Sequence, residues 1–215
     1  MTTSRVFLLS PANCRGRRAQ LLLGSDAHVL ARQLTSAEGA PLGEVFSFIS
    51  SLYFRGKLAY AQAFGAGRVY VISPDRGLLA PQARVTREVL GEFAAVPIDA
   101  GEPRYREPLV RDLARVARDH PGPVILLGSI ASHKYVAPMI ELLGPRLLFP
   151  SAFVGRGDMS RGGVLLRAAR AGVELEYEAV AGATLRGKRP PRLEPEPREA
   201  PKRGERGATG RAPDG

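Results

Sequence analysis

The sequence predicts an α/β domain whose sheet is mostly parallel or mixed, with helices on both faces. Three observations carry that expectation. Short, almost wholly apolar runs recur along the chain, each bounded by turn residues. Segments with apolar residues at helical spacing lie between them. After Ala183 the composition changes so sharply that one domain, residues 1–183, is expected to end there.

The first strand is expected at Arg5-Val6-Phe7-Leu8-Leu9-Ser10, the second at Arg68-Val69-Tyr70-Val71-Ile72-Ser73 and the third at Pro123-Val124-Ile125-Leu126-Leu127-Gly128. Runs this apolar suit strands buried on both faces. Arg146-Leu147-Leu148-Phe149 and Ala152-Phe153-Val154 offer a fourth, broken by Pro150. Glu174 to Val180 alternates charged and apolar residues, which fits an edge strand with one wet face.

Helices are expected from Arg17 to Leu34, split near Gly24-Ser25-Asp26, and from Leu52 to Phe64. Pro108 to His120 puts Leu109, Leu113, Val116 and Ala117 on one stripe. Tyr135 to Leu143 and Ser160 to Ala171 complete the set, the last with Ser160 as N-cap and Gly172 as C-terminal stop. Strands alternating with helices imply a mainly parallel sheet covered on both sides.

Residues 184–215 hold nine Lys/Arg against five Asp/Glu, repeated prolines and no aromatic residue. Such a segment buries too little apolar surface to offset the entropy of ordering, so a disordered basic tail is expected. It carries about +4 of the net +10, which leaves about +6 in the domain.

The remaining composition narrows the function classes. No run approaches the ~18–20 apolar residues of a membrane helix, and the N-terminus leads straight into a strand, so neither a membrane partner nor a signal peptide is expected. A single cysteine, Cys14, excludes an internal disulfide and a thiolate zinc site, and suits the cytoplasm. Three scattered histidines offer no metal spacing, so neither metal nor cofactor is expected. The positive charge either attracts polyanions or reflects abundant arginine in an Arg-, Ala- and Gly-rich chain.

In parallel sheets ligands bind beyond the carboxyl ends of the strands, so the loops there are the place to search. After the first strand, Ser10, Asn13, Arg17 and Arg18 precede or open a helix, either as an anion site or as a cap with solvated arginines. After the second, Asp75 and Arg76 lie in a Pro-Asp-Arg-Gly turn and are candidates to hold a base or sugar. After the third, Ser132, His133 and Lys134 open a helix, with His133 suited either to proton transfer or to a capping or surface role, and Lys134 to an anion. The fourth loop, Gly155 to Gly163, holds Arg156, Asp158, Ser160 and Arg161 but lacks the Walker ending. Its four glycines and two arginines are hard to explain as a turn alone. In Ser50 to Lys57, Tyr53 is a candidate for stacking on a base, with Arg55 and Lys57 either neutralising phosphates or simply solvated. His133, Asp75 and Asp158 are the candidate acid/base groups. Cys14 is a lesser candidate nucleophile, since no histidine is near it in sequence.

Two of these loops carry a resemblance. Leu8-Leu9-Ser10-Pro11-Ala12-Asn13 resembles the "ISPAK" opening of the YaaA peroxide-stress family. Val71 to Pro81 is similar to that family's "SGLYGVLRP" segment, and more so to the "SPLGLVP" segment of the accessory domain of archaeosine synthases. The likeness covers roughly residues 5–20 and 69–100. It implies a YaaA-like α/β fold and an association with DNA or modified RNA, and names no reaction. Ser132-His133-Lys134 and the loop around Asp158 have no counterpart in it.

Three functions fit these features. The first is a nucleic-acid- or nucleotide-binding protein of YaaA-like type, with action on a nucleobase as an option. The second is an enzyme on a small phosphorylated or nucleoside-like substrate. The third is a partner-binding protein whose basic surface is incidental.

Overall fold

The computed structural model describes residues 5–130 and 133–183, together with 187, 190, 191 and 193, and for residues 133–135 it describes the backbone alone. Most of the expected basic tail lies outside the described residues.

The fold is α/β, built on a six-stranded mixed sheet. Its centre is β1 (Val6–Leu9), all four residues of which are buried. On one side β1 pairs in parallel with β3 (Val69–Ile72), Phe7 opposite Val69. On the other it pairs in parallel with β6 (Val124–Leu127), Phe7 opposite Ile125. Beyond β6 lies parallel β7 (Leu147–Pro150). Both edges are antiparallel: β4 (Leu78–Leu79) beside β3, and β8 (Tyr177–Ala179) beside β7. The order is β4-β3-β1-β6-β7-β8. A separate ribbon pairs β2 (Ala40–Pro41) with β5 (Arg84–Val85).

Each apolar run forms the strand expected of it, because a four-residue segment without polar side chains is stable only between two neighbours and two covering layers. Ala152 to Val154 departs from that reading: Ser151–Phe153 is a 3₁₀ turn, since Pro150 ends the ladder.

Among the described residues, seven α-helices surround the sheet. Between β1 and β3 run α1 (Arg17–Gly24), α2 (Val29–Thr35) and α3 (Leu42–Phe64). Between β3 and β6 run α4 (Arg87–Ala95) and α5 (Pro103–Asp119). Next come α6 (His133–Leu143) and α7 (Asp158–Ala171). α3 packs on α7 and α5 on α6. Right-handed crossovers put these pairs on opposite faces of the sheet.

Four helix starts differ from the sequence expectation, α6 by beginning at His133 rather than Tyr135. α5 starts at Pro103 rather than Pro108: Pro103 occupies the first turn, and the Glu102 side chain accepts from Arg104 N. α7 starts at Asp158, with Gly157 in the N-cap position; Ser160 lies inside the helix, where its hydroxyl accepts from Arg156 Nη1 (3.1 Å). α3 starts at Leu42 rather than Leu52 and breaks in the middle, at Ser51, whose φ of 50° and ψ of −126° lie outside the helical region. A non-glycine residue held there is strained backbone. Gly172 does end α7 in the left-handed conformation, its N–H and that of Val173 returning to Ala169 and Ala168 carbonyls.

Candidate functional site

The chain runs from β1 outward to β3 and then crosses back to β6 on the far side, so β1 and β6 flank the point where the winding reverses. Beyond the carboxyl ends of such strands the loops part and leave a crevice. Here it measures about 490 Å³. Ser10, Asn13, Cys14 and Arg15 come from the β1 loop and Ser129 from the β6 loop; Ser50, Tyr53 and Lys57 come from α3; Phe93 comes from α4, and Val96, Pro97, Ile98 and Asp99 from the segment after it. The volume suits a small organic ligand.

The β1 loop is held in place residue by residue. Ser10 N donates to Leu127 O (3.1 Å), continuing the ladder one step past β1. Asn13 Oδ1 accepts from Arg15 N (3.1 Å) and its carbonyl from Gly16 N (3.0 Å), closing a tight turn. Arg15 spans to α4, donating to Ala94 O (2.7 Å) and Ala95 O (3.3 Å). A cation at that helix end also complements its dipole.

Lys57 is the unexpected member. It is 1 % exposed, six residues beyond the Ser51 break. Its Nζ donates to the carbonyl (2.7 Å) and the Oγ (2.9 Å) of Ser10, and lies 4.5 Å from the Tyr53 ring centre and 4.7 Å from that of Phe54. Burial lowers its pKa from 10.5 to about 7, opposed by the Asp158 charge. The solvated role considered for Lys57 is therefore corrected. The signal was available: Tyr53, Phe54, Tyr60 and Ala61, three or four residues to either side, are all apolar and buried, so helical spacing places Lys57 on an inward face.

Of the residues singled out from the sequence, Ser10, Asn13, Tyr53 and Asp158 line the crevice. Asp158 stands at its rim with an exposed side chain, 3.6 Å from Arg161 Nη1. Arg161 itself is largely buried, donates to Phe153 O (3.2 Å) and lies over the Phe153 ring. Arg156 bonds Ser160. Arg76 pairs with Asp75 (3.3 Å) and Glu92 (2.5 Å). Asp75 opens instead onto a neighbouring hollow with Glu92 and Arg104, where burial raises its pKa against the pull of Arg76. Arg17 and Arg18 are exposed on α1, Arg18 over the Phe48 ring. Ser132 and the side chains of His133 and Lys134 lie outside the described residues.

Two glycines of the fourth loop, Gly162 and Gly155, have a structural explanation. A Cβ on Gly162 would stand 2.7 Å from Leu52 O and 2.8 Å from Tyr53 Cα; one on Gly56 would stand 2.5 Å from Gly162 O. These two glycines let α7 lie directly on the backbone of α3 at the strained segment. Gly155 adopts a φ of +71°, which only glycine takes without strain.

Cys14 also lines the crevice, but burial, then the charge of Asp75, pushes its thiol up to about 12. It stays protonated near neutral pH, which argues against a thiolate nucleophile. Among the described residues no group of three or more His, Cys, Asp or Glu is placed to hold a metal. None of the described helices is long and apolar enough to cross a membrane. Compared with known protein families, curated proteins and solved structures, the chain matches none.

Proposed function

We propose that the protein binds a nucleoside- or nucleotide-sized ligand in the crevice at the sheet reversal. One observation carries this reading: the loops after β1 and β6 enclose about 490 Å³ at the switch point, lined by polar side chains and by Tyr53 and Phe93. A base fits between apolar or aromatic walls, and a sugar or phosphate fits Ser10, Asn13 and Ser129. The YaaA resemblance implies an association with DNA or modified RNA, whose bases and phosphates offer the same chemistry to such a crevice.

A polymer-binding reading is favoured by the net charge of +10. Against an extended phosphate track, Arg15, Arg76, Arg156 and Arg161 are tied to partners within the chain. A polymer would then offer a single base to the crevice.

Thermal shift across nucleosides, mononucleotides and short single strands tests both. A mononucleotide at 100 times its Kd should add about 2.7 kcal/mol of stability, and Ile98→Trp, which fills the crevice, should abolish the gain. Tight oligonucleotide binding that Ile98→Trp leaves intact, with no shift from any monomer, overturns the crevice reading.

A further inference from the structure

We propose that Ser10 and Lys57 form a nucleophile–base pair that makes this crevice an acyl-transfer or hydrolytic site for small esters or activated amides. The inference rests on the crevice being the ligand site, and not on the ligand's being a nucleotide.

Geometry supplies the first argument. Ser10 Oγ and Lys57 Nζ are 2.9 Å apart, and both residues line the crevice at the carboxyl end of the central strand. Ser10 is fixed through its N–H to Leu127 O, and Lys57 through its second contact with Ser10 O at 2.7 Å. A serine hydroxyl is a weak nucleophile until an adjacent base takes its proton, and a lysine can be that base only when neutral.

Environment supplies the second. Lys57 has no carboxylate in direct contact among the ion pairs of the described residues; the charge bearing on it is that of Asp158, held by Arg161 at the rim. Arg15 and Asp99 stand at the crevice wall, Cys14 faces it as a neutral thiol, and on its own helix the Tyr53 ring lies against Nζ while Tyr60 is bonded away to Tyr177. Burial therefore favours the neutral amine, with a pKa brought to about 7. In that form the 2.9 Å contact reverses: the Ser10 O–H donates to Nζ, while one amine N–H still donates to Ser10 O.

The step balances on these groups. Ser10 Oγ bonds to the substrate carbonyl carbon as its proton passes to Lys57 Nζ. The carbon–leaving-group bond breaks and the leaving group takes that proton from Lys57. Water then attacks the acyl-serine, giving a proton to Lys57 that returns to Ser10 Oγ as the acid departs. Asn13 is a candidate to stabilise the oxyanion. Its Oδ1 is occupied by Arg15 N–H, and its Nδ2 is the donor end.

The test uses the full chain and a fluorophosphonate, which phosphonylates activated serines with loss of fluoride. Intact mass and peptide mapping should find one adduct, on Ser10, forming faster as pH rises through about 7. Ser10→Ala should give none, and Lys57→Met should slow labelling roughly 100-fold or more. An adduct elsewhere, no adduct, or wild-type labelling of folded Lys57→Met overturns the proposal. So does a rate in the unsubstituted protein that is unchanged from about pH 5.5 to about pH 8.5, a result that needs no variant to fold. Labelling without any nucleotide shift would remove the proposed ligand and leave the pair; a nucleotide shift without labelling would do the reverse.

Discussion

Gly56 of α3 and Gly162 of α7 meet so closely that a Cβ on the first would lie 2.5 Å from the carbonyl oxygen of the second. The neighbour on each side is backbone, which has no rotamer to move aside. Gly162→Ala and Gly56→Ala should each destabilise the fold by about 1–3 kcal/mol or more. Gly91, inside α4 with open space around it, is the control: Gly91→Ala should stabilise by about 0.5–1 kcal/mol. Urea titration with an unchanged slope checks all three.

Lys57 predicts a pH dependence of stability. Its folded pKa, about 7, lies below its ordinary 10.5. Between those values the unfolded chain binds the proton and the folded chain does not, so stability rises with pH across that window. Below it the amine is charged in both states and the burial cost is full. Melting scans from about pH 7 to about pH 10 should show the unsubstituted protein gaining on Lys57→Met, by at most about 1.4 kcal/mol per pH unit. A constant difference would contradict the assignment.

Cys14 should be inert. At 4 % exposure and with its thiol pushed up to about 12, it presents almost no thiolate near pH 8. Disulfide-exchange reagents should titrate one thiol promptly in denaturant and react orders of magnitude more slowly in the folded protein. Fast labelling of the native state would mean that the β1 loop opens.

At the far end of α3, the Tyr60 and Tyr177 hydroxyls share a 2.6 Å hydrogen bond. Leu175 N donates to Tyr60 OH (2.8 Å), Tyr177 OH to Glu174 Oε1 (2.7 Å), and Arg5 pairs with Glu174. Tyr177→Phe removes two of these links and should cost about 1–3 kcal/mol, measured by denaturant titration. Its effect on fluorophosphonate labelling should be small, because none of this network lines the crevice.

The parallel core was legible in the sequence because Val6–Leu9 and Val124–Leu127 have no polar residue to confuse their period. The wet edge strand was legible from the exposed Glu178 between half-buried neighbours. The first half of α3 was not, since its continuation depends on Ser51 adopting a conformation no propensity favours, held by α7 packing on Leu52 and Tyr53. α4 was missed as well, and with it the wall from Phe93 to Asp99. Of the site, the β1 loop could be placed by the strand-end rule, and it carries Ser10 and Asn13 to the crevice. Lys57 escaped because a charged residue reads as solvated until its helical neighbours are considered.

The two outer strands of the main sheet are short. β4 contributes two residues and β8 three. An incoming chain seeking to extend the sheet would find only a few open backbone groups at either margin, too few to register a strand. At these two margins of the main sheet, growth by strand addition is disfavoured, and helix faces or loops are better surfaces for a second copy.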